Sequence, residues 1–236
     1  MNMVTDAPAF AALLLEQARR MPIESNPFIR SVCAGSYSRN ALRIYGTRLF
    51  QLADSFPTIL HSLLSRCETP EFRKHIEENI REEEGWVPDP QGEGWVKDPQ
   101  RKHSALLKKF IRAIEPGWLP DRVPEETWAD KALHGGQSLA VSAYLMVGLE
   151  ANVPRTFRLL IPAFREHYGF SDDELVFFVE HLTADEQHGE DGARLVSELA
   201  ATRQERLELL EGVNKGATAW WWFHRSCHTA ISSPGR

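Results

Sequence analysis

Apolar residues recur at intervals of three and four along almost all of this 236-residue chain, and that spacing restricts its fold more than any other feature. Leu42, Leu49, Leu52, Phe56, Ile59, Leu60 and Leu63 would share one helical face. Alternating patterns bounded by turn residues, the mark of strands, are hard to find. The fold class is therefore all-α. The periodicity predicts helices near 6–20, 24–34, 38–64, 70–84, 102–114, 125–132, 135–165, 172–183, 185–212 and 214–226. Thr69-Pro70-Glu71 places a cap ahead of proline at a first helical position, and Ser171-Asp172-Asp173-Glu174 reads as a capping box.

Between the fourth and fifth helices a nine-residue segment is repeated: Glu84-Gly-Trp-Val-Pro-Asp-Pro-Gln91, then Glu93-Gly-Trp-Val-Lys-Asp-Pro-Gln100. Its prolines and glycines oppose helix, so an exposed loop carrying Trp86 and Trp95 is expected. The duplication is either a tolerated surface insertion or a lid over a pocket. No linker rich in Pro, Gly and Ser splits the chain elsewhere, which points to a single domain over 1–236 with its core at about 25–212.

Hydrophobic residues make up 42% and charged residues 25%, the balance of an ordinary soluble globule, and the formal charge of −6 gives no electrostatic footprint for nucleic acid. The longest apolar run, Ala9 to Leu15, follows Asp6 and lacks a basic flank and a cleavage site, so neither a signal peptide nor a membrane span is expected and the cytoplasm is the expected location. Cys33, Cys67 and Cys227 form no CxxC pair, which argues against a disulfide framework or a thiolate zinc site.

The densest chemistry is Glu180-His181-Leu-Thr-Ala-Asp185-Glu186-Gln-His188. On a continuous helix His181, Asp185 and His188 project from one face, and imidazole nitrogen with carboxylate oxygen suits iron or manganese. Other helices supply partners. In 70–84 the inward face is set by Phe72, Ile76 and Ile80; at about 100° per residue Glu83 lies about 20° from its centre, Glu84 about 80° and Glu82 about 120°. Glu83 thus points inward, with Glu82 and Glu84 as the more solvated alternatives. His103 shares a stripe with Leu107, Phe110 and Ile114. Glu150 shares one with Met146, Val153, Phe157 and Leu160, and a buried carboxylate there needs a cation, a donor or a metal. The inventory is Glu83, His103, Glu150, His181, Asp185 and His188, a set that matches a two-iron carboxylate site inside a helical bundle. His61, His75, His134, His167 and His228 sit in no comparable run and read as surface or core residues; around His75, Glu71 and Glu78 favour a solvated ion pair. Trp220, Trp221, Trp222, Phe223 and His224 form an aromatic cluster that would cover the end of the bundle or a dimer interface.

Over about residues 25–212 the chain resembles the haem-oxygenase-like di-iron oxidase and oxygenase superfamily, related in fold to thiaminase II and pyrroloquinoline quinone synthase. The resemblance is carried by Asn26-Pro-Phe28, Gly35, Ala41-Leu42, Tyr45 and Phe56-Pro57; by Asn79-Ile-Arg-Glu-Glu83-Glu-Gly85 with His103; by Glu150-Ala-Asn-Val-Pro154-Arg155; and by the 180–188 run. It implies a haem-oxygenase-like helical bundle, the six residues above as ligands of two Fe(II) ions, with Mn/Fe as an alternative, and O2 as co-substrate. The reaction it implies is oxidation of a small organic acid or amino acid by C–H abstraction, desaturation, C–C cleavage or N-oxygenation. The substrate would carry a carboxylate that Arg155 could bind, and a homodimer is compatible with the pattern. Two departures are informative. Glu83 and His103 stand further apart than is usual in the family, by about one copy of the repeat. The branch that makes p-aminobenzoate by consuming its own tyrosine would need that tyrosine at Ile29 and a lysine at Leu160. The alternatives are a metal-free quinone-synthase-like or thiaminase-like enzyme of the same fold, and a non-catalytic helical interaction protein.

Overall fold

Local chemistry sets most of the helix limits. The computed structural model describes residues 6–118 and 138–233. Asp6 caps α1 (Ala7–Arg19), and Asn26, whose side chain accepts from the Phe28 amide, caps α2 (Pro27–Cys33). Next come α3 (Leu42–Leu64) and α4 (Pro70–Glu84), the latter opened by proline and closed by Gly85 in the left-handed region. After α5 (His103–Ile114) the described chain resumes with α6 (Ser138–Ser142), a wide π turn over Ala143–Leu149 and a 3-10 turn over Glu150–Asn152. It ends with α7 (Val153–Tyr168), α8 (Val176–Leu199) and α9 (Arg203–Ser232). The expected all-α class holds. The helix expected at 125–132, the start of the one expected at 135–165, and His134 lie outside the described residues.

Three expectations are corrected. The helices expected at 172–183, 185–212 and 214–226 are two, α8 and α9, divided at Ala200–Thr202. Nothing between residues 183 and 185 stops a helix, whereas Thr202 and Glu205 form a reciprocal capping box, Glu205 N–H to Thr202 Oγ1 at 3.2 Å and Thr202 N–H to Glu205 Oε2 at 2.8 Å. The repeat is not an irregular loop. Its copies pair as antiparallel strands, β1 (Trp86–Pro88) and β2 (Trp95–Lys97), in the register Trp86 with Lys97, Val87 with Val96 and Pro88 with Trp95. Both indoles pack under cations, Lys97 over Trp86 at 5.3 Å and Arg81 over Trp95 at 5.6 Å. His75 is buried rather than solvated; Glu78 pairs with Lys74 instead.

The described residues form two compact units, each discontinuous in sequence. The first holds residues up to Ser36, from Gly135 to His167 and from Phe178 onward. Its interior is the packing of α9 on the segment α6–π turn. Backbone meets backbone here: a Cβ at Gly148 would stand 2.5 Å from the Val213 carbonyl oxygen, and one at Gly216 would strike the Tyr144 carbonyl. These glycines lie within helix because they admit a close neighbour, and so they do not end α9. The C-terminal aromatic cluster is split by the helix: Trp220 and His224 are buried, while Trp222 is 58% exposed. His224 packs against Trp220, Phe223 and Phe28 and donates from Nδ1 to the Trp220 carbonyl at 2.9 Å.

The second unit holds residues 37–134 and 168–177; within it α3 packs on α4 and α5, and the β hairpin joins the last two. Arg39 ties its segments together, donating to the carbonyls of Tyr168 at 2.7 Å and Ala113 at 3.1 Å.

Two outcomes follow. Gly216→Ala should destabilise the protein by about 2–3 kcal/mol, since overpacking against a backbone carbonyl cannot be relieved by a rotamer change, while Gly92→Ala on the hairpin turn, whose nearest neighbour is a side-chain atom 3.6 Å away, should be nearly silent. Urea unfolding measures both, and equal midpoints would contradict the close-packing account. Burial lowers the His224 pKa to about 4. The folded state thus holds His224 neutral where the unfolded chain is protonated, so its contribution is intact above about pH 6.5 and is lost as pH falls toward 4, on the order of 3 kcal/mol in all. His224→Gln should flatten the stability profile across that window; an unchanged slope would assign the acid sensitivity elsewhere.

Candidate metal centre

Acid and imidazole side chains are buried in each unit. In the second, Glu83 is next to last in α4 and His103 is first in α5, both 7% exposed, with Glu83 Oε1 3.0 Å from His103 Nδ1. The His103 ring lies edge-on to Phe177 at 6.3 Å between centroids. The neighbouring acids go elsewhere. Glu82 is exposed, and Glu84 receives Lys97 Nζ at 2.7 Å and Trp86 Nε1 at 3.3 Å and faces His61 Nε2 at 3.1 Å. The hydrogen bond from Lys97, helped by His61 and Trp86, holds the Glu84 carboxyl down at about 2 against the opposing effect of burial. Glu83 is therefore the inward acid of the three, as its position on the wheel implies.

In the first unit α8 runs without a break through His181, Asp185 and His188, so the three stack on one face. His181 and Asp185 are buried, and the His188 side chain is 12% exposed. Glu150, 3% exposed, approaches that face from the 3-10 turn: His188 Nδ1 is 3.8 Å from Glu150 Oε2 and 3.8 Å from Asp185 Oδ1. Glu150, Asp185 and His188 each offer a ligand atom, all within 4.8 Å of one another. Two carboxylates this close in an apolar interior repel and resist desolvation, and a cation between them removes both costs. The donor set, oxygen and imidazole nitrogen without thiolate, suits a divalent metal such as iron or manganese. His181 packs its ring against Phe157 at 6.1 Å.

The chain distorts to deliver Glu150. In a regular helix the Glu150 carbonyl would accept from residue 154, but Pro154 has no N–H; the Val153 amide bonds to it instead, tightening the turn, while the Glu150 amide reaches back five residues to Leu145. π turns of this kind gather at functional sites. Asn152 ties this segment to the end of α1. Its amide donates to the Gly148 carbonyl at 2.9 Å and the Ala18 carbonyl at 3.1 Å. Thr156 donates to the Asn152 carbonyl and accepts from Trp220 Nε1, each at 2.8 Å. Pro154 is the one sequence signal for this distortion; Thr156 and Trp220 join it through contacts far apart in sequence, which no local pattern shows.

Arg155, expected to bind a substrate carboxylate, has partners within the chain. It borders a cleft of about 280 Å³ with Arg19, Arg158, Glu186 and Glu190. Its guanidinium, however, donates to the Arg19 carbonyl at 3.0 Å, Asn152 Oδ1 at 3.0 Å and Glu24 Oε1 at 2.8 Å. An anion would have to displace these partners, so Arg155 serves to tie α7 to the segment after α1. The Cys33 and Cys67 thiols have their pKa values raised by burial, which disfavours a thiolate nucleophile.

The chain is similar to proteins of more than one activity. The chain is 28% identical over 173 residues to the 4-aminobenzoate synthase of Chlamydia trachomatis serovar D, covering 70% of this chain and 69% of that one. It is 22% identical over 250 residues to the pyrroloquinoline-quinone synthase of Rhizobium meliloti, covering 100% and 91%. Among solved structures, a domain with a heme oxygenase-like fold from Shewanella denitrificans superposes with a TM-score of 0.69 at 14% identity, over 98% of this chain and 97% of that one, which establishes the fold. Residues 49–221 match the family described as iron-containing redox enzymes, and with its buried carboxylates and imidazoles carried on a haem-oxygenase-like helical fold the chain belongs to that family.

Proposed function

We propose that this protein is a non-haem di-iron oxidase or oxygenase in which Glu83, His103, Glu150, His181, Asp185 and His188 hold two ferrous ions, or a mixed manganese and iron pair, and O2 is the co-substrate. The observation that carries the reading is the cluster of Glu150, Asp185 and His188, whose ligand atoms lie within 4.8 Å of one another. The pairing of Glu83 with His103 supports it. Iron bound there would supply the activation of dioxygen and the oxidising power for C–H or N oxidation. The chain's part is to neutralise ionic charge with three carboxylates, to fix the His103 and His181 imidazoles by ring packing, and to exclude bulk water with Phe157, Phe177 and Phe178.

The substrate is a small organic acid or amino acid supplied from outside. In favour of an external substrate, Ile29 and Leu160, where self-consuming chemistry would need tyrosine and lysine, are buried core residues.

Protein loaded anaerobically with ferrous iron and then desalted should retain close to two irons per chain. His188→Ala and Asp185→Ala should each lower that content and abolish oxygen consumption while keeping the helical circular dichroism, because a missing ligand bond cannot be replaced by packing. No iron in the parent protein, or unchanged iron in both variants, refutes the assignment. Glu150→Gln should weaken metal binding yet stabilise the metal-free protein by roughly 1–2 kcal/mol, the amide relieving repulsion with Asp185. If melting of the metal-free form falls or stays put, Glu150 is paired with a cation of the chain and the site loses its central ligand.

A further inference from the structure

Glu83 and His103 sit in the last turn of one helix and the first turn of the next, where backbone groups lack intrahelical partners and helices fray. Helix formation alone does not hold such a pair 3.0 Å apart. The residues that flank them are pinned in a ring of contacts. After Glu83, Glu84 accepts from Lys97 Nζ of β2 at 2.7 Å and meets His61 of α3 at 3.1 Å. On either side of His103, Lys102 Nζ and Ser104 Oγ both donate to Asp54 Oδ1 of α3, each at 2.9 Å. Gly85 closes the ring. Its carbonyl accepts from the Asp98 amide at 2.8 Å, its φ is +80°, and a Cβ there would stand 2.5 Å from both the Asp98 carbonyl oxygen and the Lys102 nitrogen.

From this ring we propose that Glu84 with Lys97, and Asp54 with Lys102 and Ser104, are positioning residues for the Glu83 and His103 ligand pair, setting it at chelating distance before a metal arrives. The inference rests on the reading of Glu83 and His103 as iron ligands. Neither Glu84 nor Asp54 is a ligand; Glu84 acts on Glu83 beside it, and Asp54 acts on His103 through Lys102 and Ser104. A ligand pair fixed in advance avoids an ordering cost on binding. Loss of such supporting contacts costs about 10–100-fold in metal affinity. The pairs themselves are partly exposed, Lys97 at 47% and Lys102 at 33%, so they add little to the stability of the fold. Their effect should therefore appear in metal binding and hardly in unfolding.

The test is a titration of the metal-free protein with Co(II), following its visible absorption and the heat of binding. The parent should take up two equivalents. Lys97→Met and Asp54→Ala should each weaken one equivalent about tenfold or more and leave the other within about twofold. Lys97→Arg, which can still reach Glu84, should restore the parent affinity. Two unchanged equivalents in both variants would overturn the inference. So would equal weakening of both equivalents, or a failure of Lys97→Arg to restore binding, since general loosening of the fold gives those results. A parent protein that takes up fewer than two equivalents would instead overturn the di-iron reading, and the positioning role with it.

Discussion

Buried negative charge is the constraint on which the rest of this structure depends. Glu83, Glu150 and Asp185 are each less than 8% exposed, on helical faces that also bury large apolar side chains such as Phe72, Met146 and Phe178. A carboxylate in such surroundings must find a cation or give up its charge, and either way several kcal/mol are at stake. The two units meet this demand differently. One places its acid against an imidazole at the ends of two helices; the other sets two acids and an imidazole along two helical segments that approach through distorted backbone.

That distortion has a backbone cause and a backbone support. Pro154 withholds a hydrogen bond, the turns around Glu150 adjust, and Asn152 bonds both the Gly148 carbonyl within the segment and the Ala18 carbonyl at the end of α1. Gly148 and Gly216 then let α9 lie against the widened turn at a distance that any side chain would forbid. Irregular helix is costly in isolation, and here tertiary packing over-determines it. Precision at Glu150 thus comes from residues with little or no side chain as well as from those with functional groups.

Much of this was legible in the sequence, and the omissions have physical reasons. Helical periodicity identified α3, α4 and α5 closely, because each has a single apolar stripe and clear punctuation. The inward position of Glu83 followed from the same periodicity, and so did that of Glu150, even though the helix there is irregular. The break between α8 and α9 at Ala200–Thr202 is set by the capping pair of Thr202 and Glu205, a signal that helical periodicity by itself does not carry. The hairpin escaped notice because strands of three residues are too short to show alternation and because proline sits in one of them. Asp54, Asn152 and Trp220 act through partners up to 134 residues away, as with Asn152 and the Ala18 carbonyl, and no local pattern announces such pairs. The partners of Arg155 were not legible either, because a guanidinium beside a ligand motif looks the same in sequence whether it meets a substrate or the chain's own carbonyls.

The register of the hairpin carries an evolutionary consequence. Val87 pairs with Val96, its own duplicate, and Trp86 and Pro88 pair with the duplicates of each other. Antiparallel pairing has local two-fold symmetry, so a short extended segment copied in tandem meets a partner already matched to it. An inserted segment ordinarily waits for complementary residues to arise elsewhere in the protein before it gains order. A tandem copy brings its partner with it in a single event, and the long connection between two helix ends can become structured without any change to the core.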